Sequence, residues 1–346
     1  MPSTKHQAPS TIRLWLILCA VLVVAMVVVG GYTRLSGSGL SITEWKPIHG
    51  SIPPLSEAEW QEEFSKYQKI PQYAEVNKGM TLAEFKTIFW PEFLHRLLGR
   101  IIGIVFIVPL LFFWLRGAIS HRQGVKFLAI FSLGGLQGFM GWYMVSSGLV
   151  DNVYVSHFRL AAHLFLALLL LGLLVWEVLI LSRAKPRDPS QVDNDPLTPP
   201  QQVRGSLRIN YAIWFTLLIL QILYGAFTAG LKAGLLYNSW PAMNGEWIPA
   251  LSSAIFTDHT TVQFIHRTLA TFVALGFGFW WFFNRSYVRN AQLTTLAISI
   301  ATVITLQFLL GVLTLVNAVP LGLGMMHQMG AVALFVLAVV FLHRIK

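Results

Sequence analysis

Long apolar runs, each about 20 residues, dominate the pattern of hydrophobic and polar positions along this chain. An α-helix of that length is what the hydrocarbon core of a bilayer requires. Eight such runs alternate with polar segments, so the pattern predicts an all-α membrane protein with eight transmembrane helices. The predicted helices span 13–32, 92–115, 125–146, 158–181, 208–230, 262–283, 292–316 and 322–343.

Composition and charge agree with this class. The 346 residues are 55% hydrophobic and 12% charged, whereas a soluble protein of this length needs more polar surface. The net charge of +10 comes from Lys and Arg gathered in alternate loops and at both termini. The positive-inside rule assigns these segments to the cytoplasm. The charge is therefore a topology signal, and we expect no nucleic-acid partner.

Cysteine usage and the N-terminus bear on location. The single cysteine, Cys19, lies inside the first apolar run and excludes a disulfide framework. That run has no small-residue cleavage site after it, so we interpret it as a retained helix and not a signal peptide. The expected location is a bacterial inner membrane, with both termini in the cytoplasm; the mitochondrial inner membrane is the alternative.

Two long polar segments divide the chain. Residues 33–90 form a large outer loop, and residues 182–207 form a Pro- and Asp-rich cytoplasmic linker. The linker separates an N-terminal half, 1–181, from a C-terminal half, 208–346, each with four predicted helices. Amphipathic stretches of the outer loop either cap the first half or lie on the membrane surface; they are 56–68 and 81–90.

The two halves share short sequence words. Four helices per half is an even number, so both halves insert in the same orientation, related by an axis along the membrane normal. The sequence therefore predicts two repeat-related four-helix bundles. The matching words are Gly30-Gly31-Tyr32-Thr33 with Gly225-Ala226-Phe227-Thr228, Glu92-Phe93-Leu94-His95-Arg96 with Gln263-Phe264-Ile265-His266-Arg267, and Leu136-Gln137 before Gly141 with Leu306-Gln307 before Gly311.

Four histidines recur at matching positions: His95 and His163 in the first half, His266 and His327 in the second. Side chains on facing helices of a bundle converge on its core, and two facing imidazoles are the arrangement that bis-histidine haem iron requires. Zinc or copper would need further ligands that the two words do not share. The alternative is a set of buried histidines bonded to backbone. The remaining six are interpreted as solvated, interfacial or structural: His6, His49, His121, His157, His259 and His343.

One difference separates the two histidine words. Glu92 stands three residues before His95, about 4.5 Å along the same helical face, where a carboxylate can move protons. Gln263 takes its place in the second half and cannot titrate. This predicts a reactive first half and a second half that holds a permanent haem as an electron relay. Arg96 and Arg267 either pair with haem propionates, or Arg96 simply neutralises Glu92 four residues earlier.

These motifs resemble the heme A synthase family, in the branch found in α-proteobacteria and mitochondria. The resemblance extends over essentially the whole chain and rests on residues 30–47, residues 91–100 and the His266/His327 pair. It implies an enzyme that oxidises the C8 methyl group of haem O to a formyl group, yielding haem A for terminal oxidases. Successive hydroxylations would give a geminal diol that loses water.

The same resemblance implies roles for individual residues. His266 and His327 would ligate a resident haem b, His95 and His163 would hold the haem O substrate, and Glu92 would be catalytic. Another branch of the family carries a cysteine pair in its first outer loop. Residues 33–90 contain no cysteine, so a thiol relay through that loop is excluded here.

Two alternatives from other classes remain open. One is a non-enzymatic di-haem cytochrome b that passes electrons, which leaves the difference between Glu92 and Gln263 without a purpose. The other is a haem carrier or oxidase-assembly factor. Expected partners are haem O, membrane lipid, a haem O synthase and an electron donor such as a ferredoxin or a quinol; a homo-oligomer is also compatible with the sequence.

Overall fold

The computed structural model describes residues 8–45, 49–150, 152–182, 201–288 and 291–345. Within these segments the chain is helical, with two short 3-10 turns at His49–Ser51 and Ala233–Leu235. The helices, numbered here along the described chain, are α1 Ala8–Leu35, α2 Glu57–Tyr67, α3 Pro71–Glu75, α4 Leu82–Leu115, α5 His121–Ser146, α6 His157–Ser182, α7 Gln201–Gly230, α8 His259–Asn284, α9 Ala291–Val316 and α10 Leu321–Arg344.

Eight of these helices are long and apolar enough to cross a membrane, which confirms the predicted class. All eight predicted runs fall inside observed helices. Each of these helices begins before its predicted start, and two of them do so by seven residues or more. Helix α4 begins at Leu82 instead of 92, because Thr81 and Glu84 form a capping box that starts the helix well before Pro91. Helix α7 begins at Gln201 instead of 208, while residues 183–200 of the predicted linker lie outside the described residues.

The predicted outer loop packs onto the early part of α4. Trp60, Phe64 and Tyr67 project from one face of α2 and are buried against aromatic residues of α4. The ring centroids of Trp60 and Phe89 lie 4.8 Å apart, and those of Phe64 and Phe85 lie 5.1 Å apart. Such aromatic pairs add to the free energy of apolar burial. The stretch 56–68 is therefore anchored to α4 by a small aromatic core.

The described residues group into two compact units. Residues 18–170 form the body of the first unit, and residues 9–17 with 171–345 form the second. An aromatic core at one end of the second unit includes Tyr211, Trp214 and Phe341. Its polar atoms are satisfied: the Tyr211 hydroxyl donates to the Ala338 carbonyl at 3.2 Å and the Trp214 indole donates to the Val273 carbonyl at 2.9 Å.

One histidine is placed differently from the expectation. His343, expected to be solvated near the C-terminus, is 1% exposed. Its ring packs edge-on against Trp176, with centroids 4.8 Å apart. The sequence offers no sign of this burial, because the contact joins two residues far apart along the chain.

Candidate functional site

In the first unit, two of the four repeated histidines each lie directly against a glycine of a neighbouring helix. The His95 ring on α4 meets Gly30 on α1, and the His163 ring on α6 meets Gly141 on α5. A Cβ atom placed on Gly30 would lie 2.9 Å from Cε1 of His95, and one on Gly141 would lie 3.0 Å from Cε1 of His163. Because carbon atoms pack favourably at about 3.5–4.0 Å, only glycine leaves room for either ring.

The second unit holds the other two histidines in the same way. The His266 ring on α8 meets Gly225 on α7, and the His327 ring on α10 meets Gly311 on α9. A Cβ atom on these glycines would lie 3.0 Å and 2.9 Å from the respective Cε1 atoms. In all four cases Cε1 is nearest, then Nδ1, then Nε2. The four rings therefore share one orientation relative to the glycines on which they rest.

These glycines belong to the words that recur between the halves, but the sequence did not identify them as contact points for the histidines. The signal was available: Gly30 matches Gly225 and Gly141 matches Gly311, as His95 matches His266 and His163 matches His327. A glycine inside a helix costs about 0.5–1 kcal/mol relative to alanine. A recurrent glycine facing a recurrent histidine therefore indicates that the close approach matters more than helix stability.

The histidines are paired within each unit. The imidazoles of His95 and His163 lie within electrostatic range of each other, as do those of His266 and His327. The Nδ1 atoms of His95, His163 and His266 make no hydrogen bond within the described part of the chain. A buried polar atom without a partner requires an explanation, and a ligand that orders the imidazole ring would provide one.

The donor set fits haem better than a free metal ion. Within the described segments, no group of three or more His, Cys, Asp or Glu side chains converges as a metal site. A protein-bound zinc ion takes three or four such ligands. Haem iron already has four porphyrin nitrogens and needs only two axial ligands. Two imidazoles per unit match that requirement, so each histidine pair is a candidate haem site.

Two glutamines at matching positions contact different ring nitrogens of their histidines. Nε2 of Gln137 lies 3.3 Å from Nε2 of His163 in the first unit. In the second unit, Nε2 of Gln307 lies 3.1 Å from Nδ1 of His327 and donates to the His327 carbonyl at 2.7 Å. Gln307 therefore fixes the ring through Nδ1 and leaves Nε2 for a ligand. Gln137 instead contacts the nitrogen that would face one.

Glu92, the carboxylate predicted to be catalytic, is 3% exposed and fully engaged. Its Oε2 accepts a hydrogen bond from the Ser41 hydroxyl at 2.7 Å and from the Ile42 backbone N–H at 2.9 Å. Its Oε1 pairs with Nη2 of Arg96 at 2.6 Å, four residues along α4. The carboxylate is thus fixed in position, one helical turn from His95, and it ties the segment after α1 to α4.

Arg96 completes this attachment. Its Nη2 also donates to the Ile42 carbonyl at 2.7 Å, and its Nη1 donates to the Glu44 carbonyl at 3.0 Å. Both interpretations of Arg96 from the sequence concerned its charge, and these backbone contacts, about fifty residues distant along the chain, were missed. Because both of its terminal nitrogens are engaged, Arg96 is already committed within the protein.

A lysine holds the same segment from the side of α2. Nζ of Lys66 lies 3.0 Å from Glu44, 2.6 Å from Glu62 and 3.0 Å from Glu63. Burial by itself would lower the pKa of Lys66, but hydrogen bonds to the three carboxylates outweigh it and raise the pKa above its ordinary value. The segment after α1 is therefore held by α4 through Arg96 and by α2 through Lys66.

The second unit builds a related attachment without the carboxylate. Nε2 of Gln263 donates to the Tyr237 carbonyl at 2.9 Å, and Nη2 of Arg267 donates to the carbonyls of Ser239 at 3.0 Å and Pro241 at 2.8 Å. Nη1 of Arg267 makes no hydrogen bond to any described residue. Unlike Arg96, Arg267 therefore keeps a donor available, as a propionate-binding role would require.

Comparisons with known proteins identify the family of this chain. Residues 13–339 match the COX15-CtaA family, described as "Cytochrome oxidase assembly protein". The chain is 44% identical over 342 residues to the protein named "Heme A synthase" of Maricaulis maris (strain MCS10), covering 96% of this chain and 95% of that protein. It is 42% identical over 349 residues to "Heme A synthase" of Nitrosospira multiformis, covering 99% and 95%.

A third relative is "Heme A synthase" of Bradyrhizobium sp. (strain ORS 278), 43% identical over 362 residues and covering 100% of this chain and 94% of its own length. The family match and these relatives each extend over nearly the full sequence, including both histidine pairs and the Glu92 word. The chain belongs to the COX15-CtaA family of membrane proteins, the family that its resemblance to the heme A synthases predicted.

Proposed function

We propose that this chain is a heme A synthase, which oxidises the C8 methyl group of haem O to a formyl group and supplies haem A to cytochrome oxidase. The observation that carries the proposal is the pair of glycine-backed histidines in each unit of a chain that belongs to this family. Conversion of the methyl group to a formyl group removes four electrons from the carbon and therefore requires an external oxidant. With two haem sites, the haem in one site would be modified while the haem in the other would carry electrons between the first site and a redox partner. A bound haem contributes the redox chemistry, and the protein contributes position and electrostatics.

The two sites have different roles in this proposal. His95 and His163 hold the haem O substrate in the first unit, and His266 and His327 hold a resident haem b in the second. The support for this division is Glu92, whose place is taken by Gln263 in the second unit. The contact of Gln307 with Nδ1 of His327 also suits a permanent ligand, because such hydrogen bonds orient a ligating imidazole and strengthen its binding.

Glu92 serves this chemistry from a fixed position. Ser41, the Ile42 N–H and Arg96 hold the carboxylate, so no reorientation is needed when positive charge develops nearby or when a proton must be taken up. Arg96 keeps the buried charge compensated. The segment that donates to Glu92 also closes this end of α4 together with α2, which limits access of water to the carboxylate.

The role of Glu92 is tested by the Glu92→Gln variant. The fold should tolerate it, because Gln263 occupies the matching position and also contacts the segment after the preceding helix. We expect the spectrum of resident haem b to be unchanged while haem A production is abolished. Loss of the bound haem, or unchanged turnover, would contradict the catalytic role.

The activity itself is tested by expressing the chain together with a haem O synthase. Haems are then extracted in acid solvent and separated by chromatography. Haem A or its hydroxylated precursor is expected only when the chain is present. Unmodified haems alone would overturn the proposal and favour a di-haem cytochrome b or a haem carrier.

We also propose a bacterial inner-membrane location with both termini in the cytoplasm, which places residues 36–81 on the outer side. The support is the distribution of Lys and Arg among the loops. Reporter fusions after Lys78 and after Lys346 test the topology, with the first reporter expected outside and the second inside. A haem O synthase and an electron donor, such as a ferredoxin or a quinol, are the proposed partners, and co-purification with the synthase checks the first.

A further inference from the structure

An arginine that the sequence analysis did not single out lies beside the first histidine pair. Arg34 stands in the last turn of α1, four residues after Gly30. Residues four apart share a helical face, so Arg34 lies on the face that Gly30 presents to the His95 ring, about 6 Å further along the axis. Helical side chains lean toward the N-terminus of their helix, which directs the Arg34 side chain back toward the level of His95.

The guanidinium of Arg34 has no protein partner in the described structure. It is only partly exposed, yet no hydrogen bond or ion pair from its side chain to any described residue is present. An arginine presents five N–H donors, and withdrawing a charge from water without a partner is costly. Arg96, the neighbouring arginine, is in contrast bonded to Glu92 and to two backbone carbonyls. Arg34 is thus a cation available to a ligand near His95. Nη1 of Arg100, one turn beyond Arg96 on α4, also makes no hydrogen bond to a described residue, but Arg34 shares the helical face of Gly30, on which the His95 ring rests.

The second unit supports this interpretation because it has no arginine at the position that matches Arg34. Gly30-Gly31-Tyr32-Thr33-Arg34 matches Gly225-Ala226-Phe227-Thr228-Ala229, so the position of Arg34 is occupied there by alanine. In that unit it is Arg267, the counterpart of Arg96, whose Nη1 remains without a hydrogen bond to described residues. Each unit therefore offers a ligand an arginine from a different helix: Arg34 on α1 in the first unit and Arg267 on α8 in the second.

We propose that Arg34 binds a propionate carboxylate of the haem substrate in the first unit. The planar guanidinium fork matches a carboxylate through two parallel hydrogen bonds. The inference rests on the proposed function, in which His95 and His163 hold haem O. It assigns Arg34 to positioning the substrate, and it makes the propionate contact of the first site independent of Arg96.

The test compares haem O with its dimethyl ester, in which both propionates are methylated. Detergent-solubilised protein carrying its resident haem is equilibrated with either compound, and bound haem O is measured after gel filtration by extraction and chromatography. The Arg34→Gln variant should bind haem O about tenfold more weakly than the unchanged protein, as expected for loss of a charge-assisted hydrogen bond. It should bind the dimethyl ester as well as the unchanged protein does.

The matched control is Lys78→Gln, which removes an exposed positive charge from the same inter-helix region and should alter neither affinity. Resident haem b content reports whether each variant is folded. If Arg34→Gln fails to fold, Arg34→Lys, which keeps the charge but loses the fork, should show a smaller loss with haem O and none with the ester. Equal loss for both compounds, or no loss for haem O, would overturn the role of Arg34. Failure of the unchanged protein to bind haem O would instead reject the proposed function.

Discussion

The contact between Gly225 and His266 gives the sharpest test of how the second histidine pair is held. Replacing Gly225 by alanine adds a Cβ atom 3.0 Å from Cε1 of His266. Because a favourable carbon–carbon contact lies at about 3.5–4.0 Å, the ring must withdraw by roughly 0.5–1 Å or the two helices must separate by that amount. Axial bonds to haem iron are too short to absorb such a shift. We expect Gly225→Ala to lose most of its bound haem b.

The helix propensity of alanine has the opposite effect on stability, so the test separates loss of haem from loss of helix stability. Alanine is favoured over glycine inside a helix by about 0.5–1 kcal/mol, so the substitution by itself should stabilise α7. The matched control is Gly278→Ala on α8, where an added Cβ atom meets nothing within 4 Å. That variant should keep its haem and unfold at the same or a slightly higher temperature.

The assay is haem b per chain, measured from the pyridine haemochrome spectrum, with thermal unfolding recorded on the same samples. Full haem content and an unshifted spectrum in Gly225→Ala would refute the idea that close approach of α7 positions His266. Loss of haem in both variants would point to general sensitivity of the bundle instead.

Three further predictions follow from contacts around the two sites. Arg96→Gln leaves the buried Glu92 carboxylate without its cation, so denaturant unfolding should show a loss of about 3–5 kcal/mol in stability. The double variant with Glu92→Gln should recover part of that loss, because the uncompensated charge is then removed as well. Gln307→Leu removes the hydrogen bond to Nδ1 of His327 and should weaken haem b binding at least tenfold, while retention of haem b unchanged from the parent would contradict it. Asp258 caps α8 through Thr261, and these hydrogen bonds hold the pKa of Asp258 below its ordinary value. Asp258→Ala should therefore cost about 1 kcal/mol at neutral pH, measured by denaturant unfolding. Because the folded-state pKa is lowered, the difference from the parent should start to shrink near pH ~4 and disappear as the pH falls through the folded-state pKa.

The fold could be predicted from the sequence because the membrane fixes the length of each helix. Helix ends were harder to predict where a helix continues into polar sequence. The apolar run marked a start for α4 at 92, yet the capping box of Thr81 and Glu84 begins the helix ten residues earlier. The capping pattern was readable from the sequence. What it could not supply was the aromatic core with α2, which stabilises this extension through contacts distant along the chain.

The candidate site was predictable only where residues recur. The four histidines were found because each has a counterpart in the other half, and the structure places them in two pairs. The glycines behind them were visible as repeated letters, but no sequence pattern gives the distance between two helices. The contacts of Arg96 with the carbonyls of Ile42 and Glu44 were missed for the same reason. Helical spacing predicted its pairing with Glu92 and nothing about a segment fifty residues away.

The matched positions show how a carboxylate can stand beside one histidine with its charge compensated. At the first site the charges of Glu92 and Arg96 cancel, because the two side chains form an ion pair at 2.6 Å. At the second site Gln263 is neutral, and Arg267, the counterpart of Arg96, keeps an Nη1 without a hydrogen bond to a described residue. A cation for a propionate at the first site must therefore come from a residue other than Arg96, and the proposed role of Arg34 meets that requirement. The carboxylate of Glu92 thus explains why the first site needs an arginine besides Arg96.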